Sequence, residues 1–288
     1  MKYLKEKIFK YLTITASILT ITILFAIILS LFINGMPIFG ELDWKEFFLT
    51  TQWHPNCIPS KYGILALIVA SLLVTLGALV IAVPFGLGTA IYVSEVAKPG
   101  LKEIIKPIIE LLAGIPSVIY GLFGLVFLAP FLMKVFNIPV GLNLATASII
   151  LGIMVIPIIA SISEDAITNV PKSLKEASYG LGATKWETTM RVVVPAAKKG
   201  ILGSIILGFG RAIGETMVVV MVAGGAAQLP KSLFSPVRPM TATIAAEMGE
   251  TVIGSKHFHA LFCIAIVLFI FTFISNLIAE LIIHRKKY

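Results

Sequence analysis

From Gly63 to Ser94 the chain runs for 32 residues without one charged side chain. At 1.5 Å per helical residue such a run outreaches the roughly 30 Å hydrocarbon core of a bilayer. Inside lipid each backbone polar group must be satisfied by its own segment, so the run is a helix. Five further apolar runs occupy 11–33, 107–131, 144–163, 200–224 and 258–283. With 58% hydrophobic and 13% charged residues in 288, too little polar surface remains to cover a water-soluble fold. The expected architecture is an all-α polytopic membrane protein with six transmembrane helices.

The spans divide the chain. A tail, residues 1–10, carries Lys2, Lys5, Lys7 and Lys10 ahead of span one, 11–33. A cleaved signal sequence has a shorter apolar core and a small-x-small exit; this stretch has neither and is expected to stay as a membrane helix. Residues 34–62 form an extracytoplasmic loop in which Trp53 and His54 read as interfacial side chains at headgroup level. Span two, 63–94, contains Pro84, whose missing N–H predicts a kink. A charged cytoplasmic connection, 95–106, leads to span three, 107–131, interrupted by Gly114-Ile115-Pro116-Ser117. Span four, 144–163, precedes a polar cytoplasmic segment, 164–199. Span five, 200–224, an extracytoplasmic stretch, 225–257, span six, 258–283, and a short tail, 284–288, complete the order.

Orientation follows from the basic residues. With both termini cytoplasmic, the tails and the segments 94–106 and 164–199 hold sixteen Lys and Arg side chains inside. Outside lie six: Lys45, Lys61, Lys134, Lys231, Arg238 and Lys256, with Arg211 inside span five. That is the positive-inside bias. It accounts for the net charge of +8 with no nucleic-acid partner. Cys57 and Cys263 fall in different environments, a polar loop and an apolar helix, so neither a disulfide nor redox chemistry is expected.

Residues 164–199 read as a docking surface. Asn169 or Pro171 can open a helix, Gly180 and Gly182 can end it, and Thr184-x-x-Glu187 is a capping box for a second short helix that Pro195 leads into span five. Val170, Leu174 and Ala177 recur at helical spacing, flanked by Lys172, Lys175 and Lys185. Such a stripe either fits a groove on a partner protein or rests on the lipid headgroups.

The segment also resembles a known family. Glu176-Ala177-Ser178, Gly182 and Val192-x-Val194-Pro195 keep the spacing of the EAA-x3-G-x9-I-x-L-P motif of ABC importer permeases. Ser178 replaces an alanine, and the two valines replace larger aliphatics. The resemblance implies the type I ABC importer permease fold, with the transmembrane type-1 domain over about 66–284, and it implies that Glu176, Ala177, Ser178, Gly182 and Pro195 couple the chain to an ATPase. That ATPase is expected to be a separate subunit, because no G-x4-G-K-[ST] motif is present to cradle nucleotide phosphates. The chain is then a transport subunit and not an enzyme; it binds no cofactor itself, and ATP is used by its partner.

Span five carries two charges. On a continuous helix Arg211 and Glu215, four apart, share one face about one turn from each other. Each costs roughly 2.5–3.5 kcal/mol near the centre of a membrane helix, so they are expected to face a bundle interior or a wet cavity. Gly210 and Gly214 share a neighbouring strip that would let another helix approach. The pair is either a structural ion pair that fixes packing or part of a solute path. On the second reading the permanently charged guanidinium offers paired donors to a tetrahedral oxyanion. Glu215 would then pair with Arg211 at rest, or accept the proton of a hydrogen phosphate, which sulfate cannot offer.

Gly210 to Gly224, GRAIGETMVVVMVAG, resembles the corresponding span of phosphate-specific ABC permeases, and the PstC-type subunit in particular. Trp53-His54-Pro55 with Tyr62-Gly63-Ile64, parts of the stretch from Ile81 to Glu95, and Ile115 to Gly121 resemble the same subunit, so the likeness runs from about Trp53 onwards. Met217-Val218-Val219 stands where the PstA-type companion continues with Ala-Pro-Leu. The resemblance implies inorganic phosphate as cargo, with Arg211 and Glu215 on its path. It implies a PstB-type ATPase homodimer, a PstA-type companion permease and a PstS-type extracytoplasmic phosphate-binding protein as partners, in a cell membrane. A PstA-type companion role and a permease for another oxyanion are the near alternatives.

Other polar residues are assigned no chemistry. His257 and His259 have no third metal ligand in sequence reach and read as interfacial. Ser117 and Ser163 have no adjacent base, so no catalytic residue is expected. Glu110 and Glu280 lie near cytoplasmic span ends and can reach water. A secondary transporter or channel would predict repeated halves, which the sequence does not show, and a membrane enzyme would need a nucleophile or metal constellation.

Overall fold

Small side chains set the centre of the molecule. Ala70, Val74, Ala78 and Ala82 recur every fourth residue on one face of α3 (Leu65–Ile91). They allow α7 (Leu144–Thr168) to lie close along it, with Ala147, Ile150, Leu151, Met154, Val155 and Ile159 in the seam. A Cβ added at Gly86 would stand 2.9 Å from Ile159, and one at Gly152 would stand 3.0 Å from the Ala78 carbonyl. Close backbone approach over small residues is how helices associate where lipid removes the hydrophobic drive.

The computed structural model describes residues 2–284, and the expected basic tail Arg285, Lys286 and Lys287 lies outside them. The first helix, α1 (Lys2–Gly35), leans on the last, α14 (Lys256–His284), and otherwise presents apolar side chains such as Phe25 and Ile21 outward, as a lipid-facing helix does. Residues 34–62 are more structured than a loop. They hold α2 (Trp44–Leu49) and a short hairpin, β1 (Trp53–His54) with β2 (Lys61–Tyr62), paired Trp53 to Tyr62. Phe47, Trp53, Tyr62 and Ile64 pack there against Met240, Leu261 and Ile264.

Four expectations need correction. The third span does not begin at residue 107. Residues 99–113 form a separate amphipathic helix, α4 (Pro99–Ala113), and the span is the run Ser117–Phe136, made of α5 (Ser117–Phe123), a π-helical turn and α6 (Ala129–Phe136). Ile115-Pro116 marks the boundary, because Pro116 denies the preceding residue helical geometry. The helix of span four, α7, continues to Thr168, and so includes Glu164 and Asp165. Span two, expected over 63–94, is α3 from Leu65 to Ile91, with Pro84 inside it, continued by a π-helical turn at Tyr92–Val96.

The fourth correction concerns span five. After α8 (Lys172–Gly180) and α9 (Lys185–Thr188) the chain passes a π-helical turn, Thr189–Val193, and α10 (Val194–Ala196), then bends by 67° into α11 (Lys198–Ile213). Helix α11 stops at Ile213, and α12 (Met217–Val222) begins after a break of three residues. Among the described residues, five helices are long and apolar enough to cross a membrane, or six where the bent pair that includes α11 is taken as one span. An eight-residue helix, α13 (Met240–Glu247), packs between α12 and α14.

Candidate functional site

The break between α11 and α12 organises the charges of span five. Glu215 has left the helix, so it does not share a helical face with Arg211, yet the two remain paired through Arg211 Nη1 and Glu215 Oε2. The other carboxylate oxygen accepts from the Met217 N–H at 3.2 Å and the Val218 N–H at 3.4 Å. These are donors that the first turn of α12 cannot satisfy internally. The backbone carbonyl of Glu215 in turn accepts from the Thr241 hydroxyl at 2.7 Å. Glu215 is 3% exposed and its charge is fully engaged, whereas the Arg211 side chain is 45% exposed.

Behind Glu215 lies a void of about 10 Å³, bounded by Ser71, Thr75, Pro239 and Thr241 among others. That is room for about one water. Ser71 accepts from the Met240 N–H at 2.8 Å, which fixes the start of α13 against α3. Of the two glycines expected to admit a neighbouring helix, Gly210 faces α14, where a Cβ would lie 3.4 Å from Asn276 Oδ1, an ordinary contact that does not require glycine. Gly214 does not face it, because a Cβ there would meet only the Gly210 carbonyl, at 3.5 Å; its position at the end of α11 explains the difference.

At the opposite, basic end, the segment 169–199 is built for rigidity. Helix α8 ends in a Schellman arrangement: Gly182 takes φ +84°, its N–H bonds the Tyr179 carbonyl, and the Ala183 N–H bonds the Ser178 carbonyl. Only glycine accepts that backbone readily. The capping box of Thr184 and Glu187 is formed at α9. Glu176 and Ala177 are exposed, while Ser178 is buried and its hydroxyl shares a 2.9 Å hydrogen bond with Thr188. Leu181, 90% exposed, and Trp186 project into solvent. Pro195 lies exposed in α10, ahead of the 67° bend. The expected stripe is interrupted, because Val170 precedes α8 and is buried with Ile167 and Val193.

Buried Glu164, near the end of α7, receives Lys102 at 2.6 Å and Lys106 at 2.8 Å from α4, and Lys106 also reaches Asp165 at 2.7 Å. Hydrogen bonds to Asp165 and then Glu164 hold the Lys106 ammonium well above the usual lysine value. This cluster fastens α4 across the base of the bundle.

Sequence reasoning missed a polar hub around Glu247. Its carboxylate accepts from the Trp53 indole at 2.9 Å and from Arg238 at 2.5 Å, and His257 Nε2 lies 2.9 Å away. Trp53 is 2% exposed, so neither it nor the half-buried His257 is an interfacial side chain. His259 likewise turns inward, its Nδ1 2.6 Å from the Asn34 carbonyl. An open cavity of about 460 Å³ adjoins the hub, lined in part by His54, Asn56, Arg238 and Glu250. Ser163 bonds Ser204 at 2.7 Å and pins α7 to α11.

The fold agrees with that of the relatives. Residues 82–288 match the family model described as binding-protein-dependent transport system inner membrane component. The chain is similar to the probable ABC transporter permease protein YqgH of Bacillus subtilis, with 40% identity over 84% of this chain and 78% of that protein. It is similar also to the phosphate transport system permease protein PstC of Mesorhizobium japonicum, with 38% identity over 98% of this chain and 91% of that one. The PstC of Haemophilus influenzae is 37% identical over 98% and 94%. Among solved structures, a chain of a bacterial alginate ABC transporter in complex with an alginate pentasaccharide-bound periplasmic protein aligns with a TM-score of 0.70 over 99% of this chain and 96% of that one, at 15% identity. A chain of an amino acid ABC transporter aligns with a TM-score of 0.55 over 77% and 94%, at 23% identity. At those identities the likeness speaks for the fold, that of an ABC importer permease, while the curated relatives speak for the family. The chain belongs to the binding-protein-dependent transport system inner membrane components and, within them, to the PstC-type permeases.

Proposed function

We propose that this chain is the permease subunit of an ATP-binding-cassette importer that carries inorganic phosphate across the cell membrane, with hydrolysis done by a separate ATPase subunit. The observation that carries the reading is Arg211. Its guanidinium is anchored by a buried carboxylate at a helix break, yet nearly half of the side chain is open. A guanidinium has five N–H donors in a planar fork, so pairing with Glu215 leaves donors for a passing oxyanion. Glu215, tied to two backbone N–H groups, serves as the resting partner that orients Arg211, and this geometry favours that role over direct contact with the cargo.

In this reading the basic end faces the cytoplasm, in keeping with the positive-inside bias. The rigid turn of Glu176, Ala177, Ser178 and Gly182, with Leu181 and Trp186 projecting, enters a cleft of a PstB-type ATPase homodimer, and Pro195 places the bend that leads back to α11. A PstA-type companion permease completes the passage, and a PstS-type binding protein delivers phosphate to the opposite face.

Phosphate uptake into membrane vesicles that hold the chain with these partners, with and without ATP, tests the proposal. Uptake should require ATP, and Arg211→Ala should lower it at least about thirtyfold, the equivalent of roughly 2 kcal/mol, with the protein still in the membrane. Uptake unchanged by that substitution would remove Arg211 from the path. Glu215→Gln should weaken uptake and leave the preference for phosphate over sulfate unchanged; a lost preference would mean that Glu215 meets the cargo itself, and unchanged uptake that it has no part in transport.

A further inference from the structure

We infer that the ion pair between Lys175 and Glu95 is the strut through which the coupling segment moves α3, and that α3 carries this motion to the void beside Glu215. Lys175 Nζ lies 2.6 Å from Glu95 Oε1, across 80 residues of sequence. Lys175 sits on α8 next to Glu176, and Glu95 sits on the π-helical turn, Tyr92–Val96, that continues α3. Helix α8 packs mainly on α9 and on the turn Thr189–Val193, which belong to its own segment. The pair with Glu95 therefore links it to a different span.

The receiving end is firmly seated. Val93, in the same turn as Glu95, is fully buried with Ile109 of α4 and Ala160 of α7. From there α3 runs unbroken back to Leu65, and on its far half Ser71 and Thr75 line the void beside Glu215, with Ser71 bonded to the start of α13. Displacing α8 thus draws on the same helix that shapes the surroundings of the Arg211 pair. An exposed ion pair would transmit little, since water screens it and most such pairs contribute almost nothing. Glu95 is 7% exposed, however, and a buried carboxylate deprived of its partner is strongly disfavoured, so the two move together.

The inference rests on the proposed ATP-driven uptake. In the reconstituted complex with its ATPase, companion permease and binding protein, phosphate taken up per ATP hydrolysed is the readout. Glu95→Lys and Lys175→Glu, each alone, should lower that ratio about tenfold, within the 5–150-fold span of couplings between sites, and the two together should restore most of it. Single variants with an unchanged ratio, or a double variant no better than the singles, would overturn the strut.

A second measurement needs no cargo and no charge reversal. In a chain carrying Cys57→Ser, Cys263→Ser and Thr75→Cys, ATP should change the rate of thiol labelling at position 75, and adding Glu95→Gln should abolish most of that change. Equal changes with and without Glu95→Gln, or no change in either, would overturn the strut even where phosphate uptake itself fails. Absence of ATP-dependent uptake in the unaltered complex would instead count against the proposed function.

Discussion

Thr241 donates its hydroxyl to the backbone carbonyl of Glu215 at 2.7 Å, so the helix that ends in the Glu247 hub also holds open the break that carries the Arg211 pair. Thr241 is buried, and removing its hydroxyl leaves the carbonyl without that donor. Thr241→Val is therefore expected to destabilise the fold by about 1–3 kcal/mol, the penalty for an unsatisfied buried group. Thr241→Ser should retain most of the stability. Denaturant unfolding in mixed micelles compares the three chains, and equal stability of the unaltered and valine chains would show that the break holds itself open.

Glu215 combines two tasks that substitution can separate. Its negative charge pairs Arg211, and its second oxygen caps the start of α12. Glu215→Gln keeps an acceptor for the cap and loses the charge; Glu215→Ala loses both. The alanine chain should be less stable than the glutamine chain by about 1 kcal/mol, as for loss of a helix cap. The same unfolding measurement decides it, and parity of the two would mean the cap contributes nothing.

At the other end of α13, Trp53→Phe removes the indole donor to Glu247 and keeps the ring's packing. A hydrogen bond to a charged acceptor is worth about 1.5–3 kcal/mol. Arg238 and His257 still hold Glu247, so the loss falls on the hairpin. Amide exchange should accelerate about tenfold or more in residues 50–64, corresponding to about 1.4 kcal/mol, and stay unchanged in α7. Unchanged exchange in the hairpin would make the indole contact dispensable.

The spacing of charges and apolar runs was enough to read the helical bundle and the two short helices between residues 169 and 199, because lipid leaves each span one solution and because Gly182 and Thr184-x-x-Glu187 act locally. The sites that depend on distant partners were not legible. A glutamate four residues after an arginine looks helical, and nothing local says that Gly214 to Thr216 leaves the helix, since the replacement bonds come from Thr241, 26 residues on, and from the next helix start. Trp53 in a polar loop resembles an interfacial anchor until Glu247, 194 residues away, is brought to its indole. The third span was misplaced for a related reason: Ile108, Ile109, Leu111 and Leu112 read as the start of a membrane run, whereas Lys102 and Lys106 bind Glu164 and fix that stretch as a separate helix.

Lys106 gives a pH test. Its bonds to Asp165 and Glu164 raise its ionisation above the usual lysine value. A raised folded value means that the stabilisation is complete below the unfolded value, about 10.4, and is lost only as pH rises through the folded one. The stability difference between the unaltered chain and Lys106→Gln should thus stay constant from about pH 6 to pH 9. A difference that fades within that window would place the ammonium in a less protected setting than its contacts indicate.

Gly63 tests how the hairpin is joined to α3. A Cβ at this position would stand 1.9 Å from the Thr50 hydroxyl and 2.5 Å from the Thr50 carbonyl. That carbonyl accepts the Leu65 N–H, and the Gly63 N–H bonds the Gln52 carbonyl, so the backbone on both sides is committed. Rotating the Thr50 side chain cannot relieve the clash, because the carbonyl remains in place. Overpacking of this kind costs about 1–3 kcal/mol or more, and the displacement has to carry Trp53 away from Glu247. Gly63→Ala should therefore reproduce the faster exchange of Trp53→Phe in residues 50–64, and combining the two should add little. Gly88→Ala, where a Cβ meets nothing within 4 Å, should leave exchange in the hairpin unaltered. If Gly63→Ala is as protected as the unaltered chain, the close approach to Thr50 does not hold the hairpin, and the link from α3 to the Glu247 hub runs instead through the packing of Leu67 with Met240 and the Ser71 to Met240 bond.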